Sequence, residues 1–225
     1  MELMQEKLST LITKRKKFSD EDASQIIKCI LEAVAYLHEN NIVHRDLKPD
    51  NILIGDLSDL TTIKVADFGL SAKYEHSSFC SLDQQVGTLI FMGPELILKK
   101  RYSKGVDVFA TGIILYMLLT GGEHPLYDSR DFQVDKYKKQ LLALQSFMFP
   151  AHLSPLAKNI FLRLTKFNIT MRYTAYEALR HPWITRLNKT LIPMTLQDKI
   201  ENMEIERNFR SKIGLMIFLS NVSRA

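Results

Sequence analysis

Between positions 19 and 37 the apolar residues fall at Ala23, Ile26, Ile27, Ile30, Leu31, Val34 and Leu37, a three-and-four spacing that predicts an amphipathic helix. Ser19 and Asp22 stand at capping-box spacing just ahead of it, so the helix is expected to begin there. The pattern then changes. Residues 51–54 and 62–66 are short β-rich runs joined by the polar turn Gly55-Asp56-Leu57-Ser58-Asp59, and they predict a pair of strands. Residues 71–85 are polar, with Ser71, Ser77, Ser78 and Ser81, and read as a loop. From 106 to 119 the chain is apolar nearly all round, which predicts a central buried helix. A weaker helical pattern covers 132–144. Ser154-Pro155 supplies an N-cap with proline at the first helical position, opening a helix to about Lys166. Thr174-x-x-Glu177 caps another, stopped at His181-Pro182. A last helix is expected from about Thr195, with Ile200, Met203, Phe209, Ile213, Met216 and Ile217 on one side. The expected fold class is mainly α with a small β element.

Composition narrows this without redirecting it. The 225 residues are 46% hydrophobic and 24% charged, with only 9 Gly and 7 Pro, which suits a packed core and excludes disorder. The best candidate for a membrane span, the 15 uncharged residues 108–122, is short of the roughly 20 a span needs, so none is expected. The acidic start Met1-Glu2-Leu3-Met4-Gln5-Glu6 does not resemble a signal peptide. Two cysteines, Cys29 and Cys80, exclude a disulfide scaffold and suit a reducing compartment, and a cytoplasmic location is expected. A net charge of +5 does not by itself select an acidic partner, and no nucleic-acid partner is expected. The run Lys14-Arg15-Lys16-Lys17 reads as a solvated turn.

The chemistry is concentrated in His44-Arg45-Asp46-Leu47-Lys48-Pro49-Asp50-Asn51 and, directly after the second strand, Asp67-Phe68-Gly69. These gather carboxylates, an amide and an ammonium around short turns at strand ends. Asn51 and Asp67 offer hard oxygen ligands of the kind Mg²⁺ prefers. Lys48 can place its ammonium on a transferring phosphoryl group, which leaves Asp46 to accept the proton of an incoming hydroxyl. Gly69 permits a sharp turn after Asp67. His44 reads as a structural hydrogen-bonding residue, Arg45 as either a receiver of phosphate or a structural salt bridge, and Cys29 as core.

The two segments resemble the H-R-D-L-x-x-x-N and D-F-G motifs of eukaryotic protein kinases. Gly87-Thr88 followed by Phe91-Met92-Gly93-Pro94-Glu95 is similar to the family's A-P-E segment, with Gly93 in place of alanine. Asp107-Val108-Phe109-Ala110 resembles D-V-W-S, whose acid braces the catalytic loop. Arg172 stands where an arginine pairs with the A-P-E glutamate, and His181-Pro182-Trp183 resembles the domain-ending H-P-W. Within the family the likeness is to the calmodulin- and calcium-dependent Ser/Thr kinases, through Met1-Glu2-Leu3-Met4 as hinge and Gly112-Ile113-Ile114-Leu115-Tyr116-Met117-Leu118-Leu119. The resemblance implies a protein-kinase-like large lobe, with residues 1–185 as hinge plus lobe and 186–225 as a C-terminal helical extension. It implies ATP and Mg²⁺ as cofactors and a protein Ser or Thr hydroxyl as acceptor. Glu2 and Met4 would meet adenine, and Met4, Leu53 and Ala66 would line its lower surface. Asp46 and Lys48 would be catalytic, with Lys48 and Asp67 also on the nucleotide, and Asn51 and Asp67 would hold the metal. The loose likeness of Arg207-Asn208-Phe209-Arg210-Ser211-Lys212 to an autoinhibitory junction leaves calmodulin or a separate regulatory segment as partner, beside a helix simply docked on the lobe.

The departures from the family matter equally. No G-x-G-x-x-G, no V-A-I-K and no EF-hand loop occurs in the 225 residues. Three readings therefore stand together: a Ser/Thr kinase lobe truncated before the Gly-rich loop, a non-catalytic scaffold or decoy, and a fragment of an ordinary kinase. Gly93 is expected to alter loop flexibility without touching chemistry, and Asp50 is one methylene shorter than the acid that often helps read basic substrates.

Overall fold

The computed structural model describes residues 4–73, 86–100, 102–126, 133–142, 147 and 149–187. It opens with a two-residue strand β1 (Glu6–Lys7) and a helix α1 (Leu8–Arg15), neither of which the apolar periodicity foretold. The reason is length. Only Leu8, Leu11 and Ile12 of α1 are buried, one turn's worth of pattern. Helix α2 (Asp20–Glu39) begins where expected, with the Ser19 hydroxyl accepting the Asp22 N–H at 3.0 Å and three acids in its first turn. Its whole predicted stripe is buried, from Ala23 to Leu37. Each of those large aliphatic side chains stabilises the fold by about 1.5–3 kcal/mol at most.

Strand β2 (Ile42–Val43) precedes the polar motif, and β3 (Ile52–Asp56) and β4 (Asp59–Val65) form the expected hairpin after it. β1 joins that hairpin antiparallel at its edge, with Glu6 opposite Ile54 and Lys7 opposite Leu53. The stretch predicted as loop from Ser71 instead starts with a strand β5 (Ala72–Lys73), which pairs with β2. Ser77, Ser78 and Ser81 lie outside the described residues.

The helical remainder consists of α3 (Pro94–Ile97), α4 (Gly105–Thr120), α5 (Val134–Leu142), α6 (Pro155–Leu164), α7 (Ala175–Leu179) and α8 (Pro182–Leu187). α4 is buried on nearly every side and packs against α2 and α6. It ends at Gly121, whose φ of +80° and close approach to the Lys16 carbonyl leave no room for a side chain. Ser154 caps α6 through the Ala157 N–H at 3.1 Å, and Thr174 with Glu177 closes a capping box on α7. α6 stops at Leu164, two residues before Lys166; α7 stops at Leu179, ahead of His181-Pro182 as expected, and Pro182 opens a separate helix, α8. Trp183 of α8 is fully buried, and its indole N–H donates to Asp20 Oδ2 at 3.0 Å, tying the last described helix to the start of α2. The mainly helical lobe with a small β element is thus as expected. The helix expected from Thr195 lies outside the described residues. No helix among the described residues is long and apolar enough to cross a membrane.

Candidate active site

Two small sheets hold the polar motif. The chain leaves β2 at Val43, turns through His44–Lys48, makes a 3-10 turn at Pro49–Asn51 and enters β3. It returns along β4, makes a second 3-10 turn at Phe68–Leu70 and pairs back onto β2 through β5. Asn51 and Asp67 therefore stand on either side of the open end of one hairpin, which the Ala66 N–H closes on the Asn51 carbonyl at 2.8 Å.

The bend of the loop puts Arg45 at φ +69°, and α4 supplies what holds it there. Asp107 Oδ2 accepts the His44 N–H and His38 Nε2–H, and Oδ1 accepts the Arg45 N–H, all at 2.9 Å. Burial pushes the Asp107 carboxyl up, but the His38 hydrogen bond and charge, with His44, outweigh it and hold the group below its ordinary value. The His44 ring donates from Nε2 to the Ala66 carbonyl at 3.0 Å and accepts the Asp46 N–H on Nδ1 at 3.3 Å. Both nitrogens are engaged in holding backbone, so His44 is structural, and its ring packs 5.1 Å from that of Phe68.

Asp46 is the hub. Lys48 Nζ donates to its Oδ2 at 2.7 Å and Asn51 Nδ2 to the same oxygen at 3.1 Å. The Thr88 N–H and hydroxyl both donate to Oδ1, at 2.9 and 2.8 Å. The hydroxyl accepts Lys48 Nζ at 2.9 Å and so bridges acid and base. Burial raises the Asp46 carboxyl, yet the hydrogen bonds from Lys48 and Thr88 win, and it stays below its ordinary value. Asn51 Nδ2 also donates to the Asp46 carbonyl at 2.8 Å, so its amide nitrogen is committed to the loop and its oxygen is the atom offered outward. Asp67 is exposed at φ +60°, a left-handed conformation that aspartate tolerates, with Oδ1 accepting the Gly69 N–H at 3.1 Å. Asn51 and Asp67 thus leave one oxygen each for a hard cation, a donor set that fits Mg²⁺.

Thr88 is the residue sequence reasoning passed over. It is delivered by Gly87, where φ is +107° and a Cβ would lie 2.4 Å from the Arg45 carbonyl oxygen. That glycine, directly before a threonine and upstream of Pro94-Glu95, was the available signal. Of the residues expected to line the adenine site, Leu53 is half-buried on the face of β3 opposite buried Ile52 and Ile54, and Ala66 is half-buried just after β4. Met4 is half-buried one residue before Gln5, whose N–H donates to the Ile54 carbonyl at 2.9 Å. Glu2 lies outside the described residues.

A sequence model of the protein kinase domain matches residues 1–184. The chain belongs to the protein kinase family. Calcium/calmodulin-dependent protein kinase type IV of Homo sapiens is 36% identical over 217 residues, which is 95% of this chain and 45% of that protein. The Rattus norvegicus type IV kinase matches to the same degree. The type II alpha chain of Drosophila melanogaster is 34% identical over 206 residues, covering 90% of this chain and 38% of its own length. The chain thus spans less than half the length of these curated relatives, and it is similar in sequence to kinases named as calcium/calmodulin-dependent.

The pairing expected between Arg172 and Glu95 forms. Arg172 donates bidentately to Glu95 at 2.6 and 2.9 Å, inside the lobe. Its Nε reaches the Lys166 carbonyl at 2.8 Å, and its guanidinium lies 5.1 Å from the Phe109 ring centre. Two expectations need correction. Arg45 makes no salt bridge among the described residues: it donates to the Leu70 carbonyl, to the Ser71 carbonyl at 3.5 Å and to the Tyr102 hydroxyl at 3.2 Å. Gly93 does more than loosen a loop, because a Cβ there would lie 2.8 Å from both Glu95 carboxylate oxygens.

Proposed function

We propose that this chain is the catalytic lobe of a Ser/Thr kinase that transfers the γ-phosphoryl of ATP to a protein hydroxyl, with residues 1–185 as hinge plus lobe and 186–225 as a regulatory extension. The observation that carries the reading is the Asp46–Lys48–Thr88–Asn51 cluster, in which the carboxylate receives four hydrogen bonds and remains anionic. A carboxylate held at low pKa is a poor base towards a free alcohol. Asp46 therefore acts first by orienting the substrate hydroxyl, and takes its proton late, once bonding to phosphorus has acidified it. Lys48, held between Asp46 and Thr88, carries positive charge to the transferring group. Asn51 and Asp67 would hold Mg²⁺, which supplies neutralisation of phosphate charge. Met4, Leu53 and Ala66 form the apolar floor for adenine, and Glu2 is assigned to the hinge. Calmodulin or a separate regulatory segment is the proposed partner of 186–225, and the proposed location is cytoplasmic.

The 225 residues contain no Gly-rich loop and no strand lysine, so transfer by this chain alone is expected to be weak. The test is phosphate transfer from ATP to a Ser/Thr peptide, with and without a supplied Gly-rich lobe, alongside Mg·ATP titration. Asp46→Asn is expected to abolish transfer with ATP binding retained, and Asp67→Ala to weaken Mg·ATP binding. Binding indifferent to Asp67→Ala would overturn the metal assignment. Absence of transfer under both conditions, with binding intact, would favour the scaffold.

A further inference from the structure

Thr88 reaches Asp46 and Lys48 from a segment with little stiffness of its own. It follows Gly87, and it opens the three-residue 3-10 turn Leu89–Phe91, a turn type of poor hydrogen-bond geometry. One peptide unit of that turn is gripped at both edges. Its N–H, from Phe91, donates to the Thr88 carbonyl at 2.9 Å. Its C=O, from Ile90, accepts His124 Nε2–H at 2.8 Å and the Tyr137 hydroxyl at 3.0 Å, which occupies both lone pairs of the oxygen.

Both donors come from outside the motif loops. His124 lies four residues beyond the end of α4, and Tyr137 lies in the first turn of α5. Both are buried, and the rings of Phe91 and Tyr137 stand 6.4 and 5.8 Å from the imidazole centre. Keeping water away strengthens the two hydrogen bonds. The donor is also fixed in kind. His124 Nδ1 accepts the Leu126 N–H at 3.1 Å, so the ring proton sits on Nε2, and burial keeps the ring neutral by pushing its pKa down to about 4. A peptide unit is planar and rigid. Two donors that fix its oxygen therefore fix the N–H at the opposite edge, and with it the Thr88 carbonyl.

We propose that His124 and Tyr137 are positioning residues, which hold the Ile90–Phe91 peptide unit and thereby set Thr88 against Asp46 and Lys48. This rests on the kinase reading of that cluster. Thr88 supplies two of the four hydrogen bonds on the carboxylate and accepts one from the ammonium, so displacing it frees Asp46 Oδ1 and loosens Lys48. Asp107 and Asn51 brace the Asp46 loop through other atoms, and their bonds do not pass through Thr88. The signature is therefore local. Thr88 and Phe91 should loosen, whereas Ala66, whose N–H donates to the Asn51 carbonyl at the same site, should not.

The test is amide hydrogen exchange of the full chain at pH 7 without nucleotide, read residue by residue by NMR. Wild type is compared with Tyr137→Phe, His124→Leu and a control, Ser24→Ala, which removes a buried hydroxyl that donates to the Trp183 carbonyl. Relative to Ala66, exchange at Thr88 and Phe91 should quicken by about threefold or more in Tyr137→Phe, and further in His124→Leu. The control should leave that ratio at its wild-type value. Phosphate transfer is read separately with a supplied Gly-rich lobe, where both variants should lower kcat several-fold with the KM for ATP unchanged. An unchanged exchange ratio in both variants, equal quickening of all three amides, or an unchanged kcat overturns the proposal. If His124→Leu does not fold, Tyr137→Phe, which loses only a hydroxyl, decides it. Absence of transfer by the wild type would refute the catalytic reading alone, and the exchange ratio would still decide whether the two side chains set Thr88.

Discussion

Glu95 and Arg172 join the end of the Thr88-bearing segment to the helical body, and their side chains are only 3% and 1% exposed. Glu95→Gln leaves the guanidinium in place beneath the same carbonyls, from Lys166 and Gly105, but without its anion. Removing one partner of a buried pair costs about 3–5 kcal/mol. The glutamine oxygen still accepts one of the two hydrogen bonds, so a loss near the lower figure, about 3 kcal/mol, is expected. Against a total of about 5–15 kcal/mol for a domain, this is a large fraction. Arg172→Met should cost at least as much, because it orphans the carboxylate and takes donors from two carbonyls. The double variant should cost clearly less than the sum, by about 2 kcal/mol, because neither charge is then left buried alone. Urea unfolding followed by far-UV circular dichroism measures all three. A loss under about 1 kcal/mol for Glu95→Gln, or effects that add to within about 0.5 kcal/mol, would refute the reasoning.

Three further outcomes follow from other corners of the lobe. Gly93→Ala should displace the Glu95 carboxylate, 2.8 Å from the new Cβ, and cost about 1–2 kcal/mol by the same urea assay, with a smaller effect once Glu95 is already glutamine. His124 is buried with its ring bonded to the Ile90 carbonyl at 2.8 Å, and burial pushes its pKa from 6.5 down to about 4. Between those values the unfolded chain binds the extra proton and the folded one does not, so this residue's stability is full above pH 6.5 and falls as pH drops. The loss reaches about 2 kcal/mol at pH 5, and His124→Gln should shrink the pH 7 to pH 5 difference, leaving the smaller slope of His181, whose pKa is lowered by burial and then by Arg163. Burial, then the Glu32 charge, pushes the Cys29 thiol up to about 12, so in a Cys80→Ser variant thiol labelling at pH 8 should be slow until urea unfolds the chain; rapid native labelling would contradict this.

The sequence was most informative where a local rule repeats or closes on itself. The stripe from Ala23 to Leu37 and the caps at Ser19, Ser154 and Thr174 were readable because each rule is completed within a few neighbouring residues. β1, β2 and β5 have two residues each, too few to show an alternation, and exist only because a distant edge accepts them. In the site, Asp46, Lys48, Asn51 and Asp67 were legible as residue types held in a motif. What they touch was less so. Thr88 reaches Asp46 across 42 positions, and Arg45 donates to two backbone carbonyls and a distant tyrosine hydroxyl, partners that no motif records. Gly93 was read for flexibility because the sequence does not show that Glu95 folds back over it.

Asp107 explains why the site and the fold are not separable in this lobe. It sits in the first turn of the most apolar helix, 1% exposed, where an unpartnered carboxylate would neutralise or unfold its surroundings. It survives there because His38 and the backbone of His44 and Arg45 donate to it, and those last two donors belong to the loop that carries Asp46. The loop thus completes the core's hydrogen bonding, and the core fixes the loop's left-handed bend at Arg45. Loss of the Asp107 carboxylate must therefore lower stability and displace Asp46 together. Asp67 is exposed and, among the described residues, bonded only within its own turn, so its removal should change cation affinity while leaving the urea midpoint nearly where it was. That contrast separates the residues that hold the site's shape from those that meet its ligands.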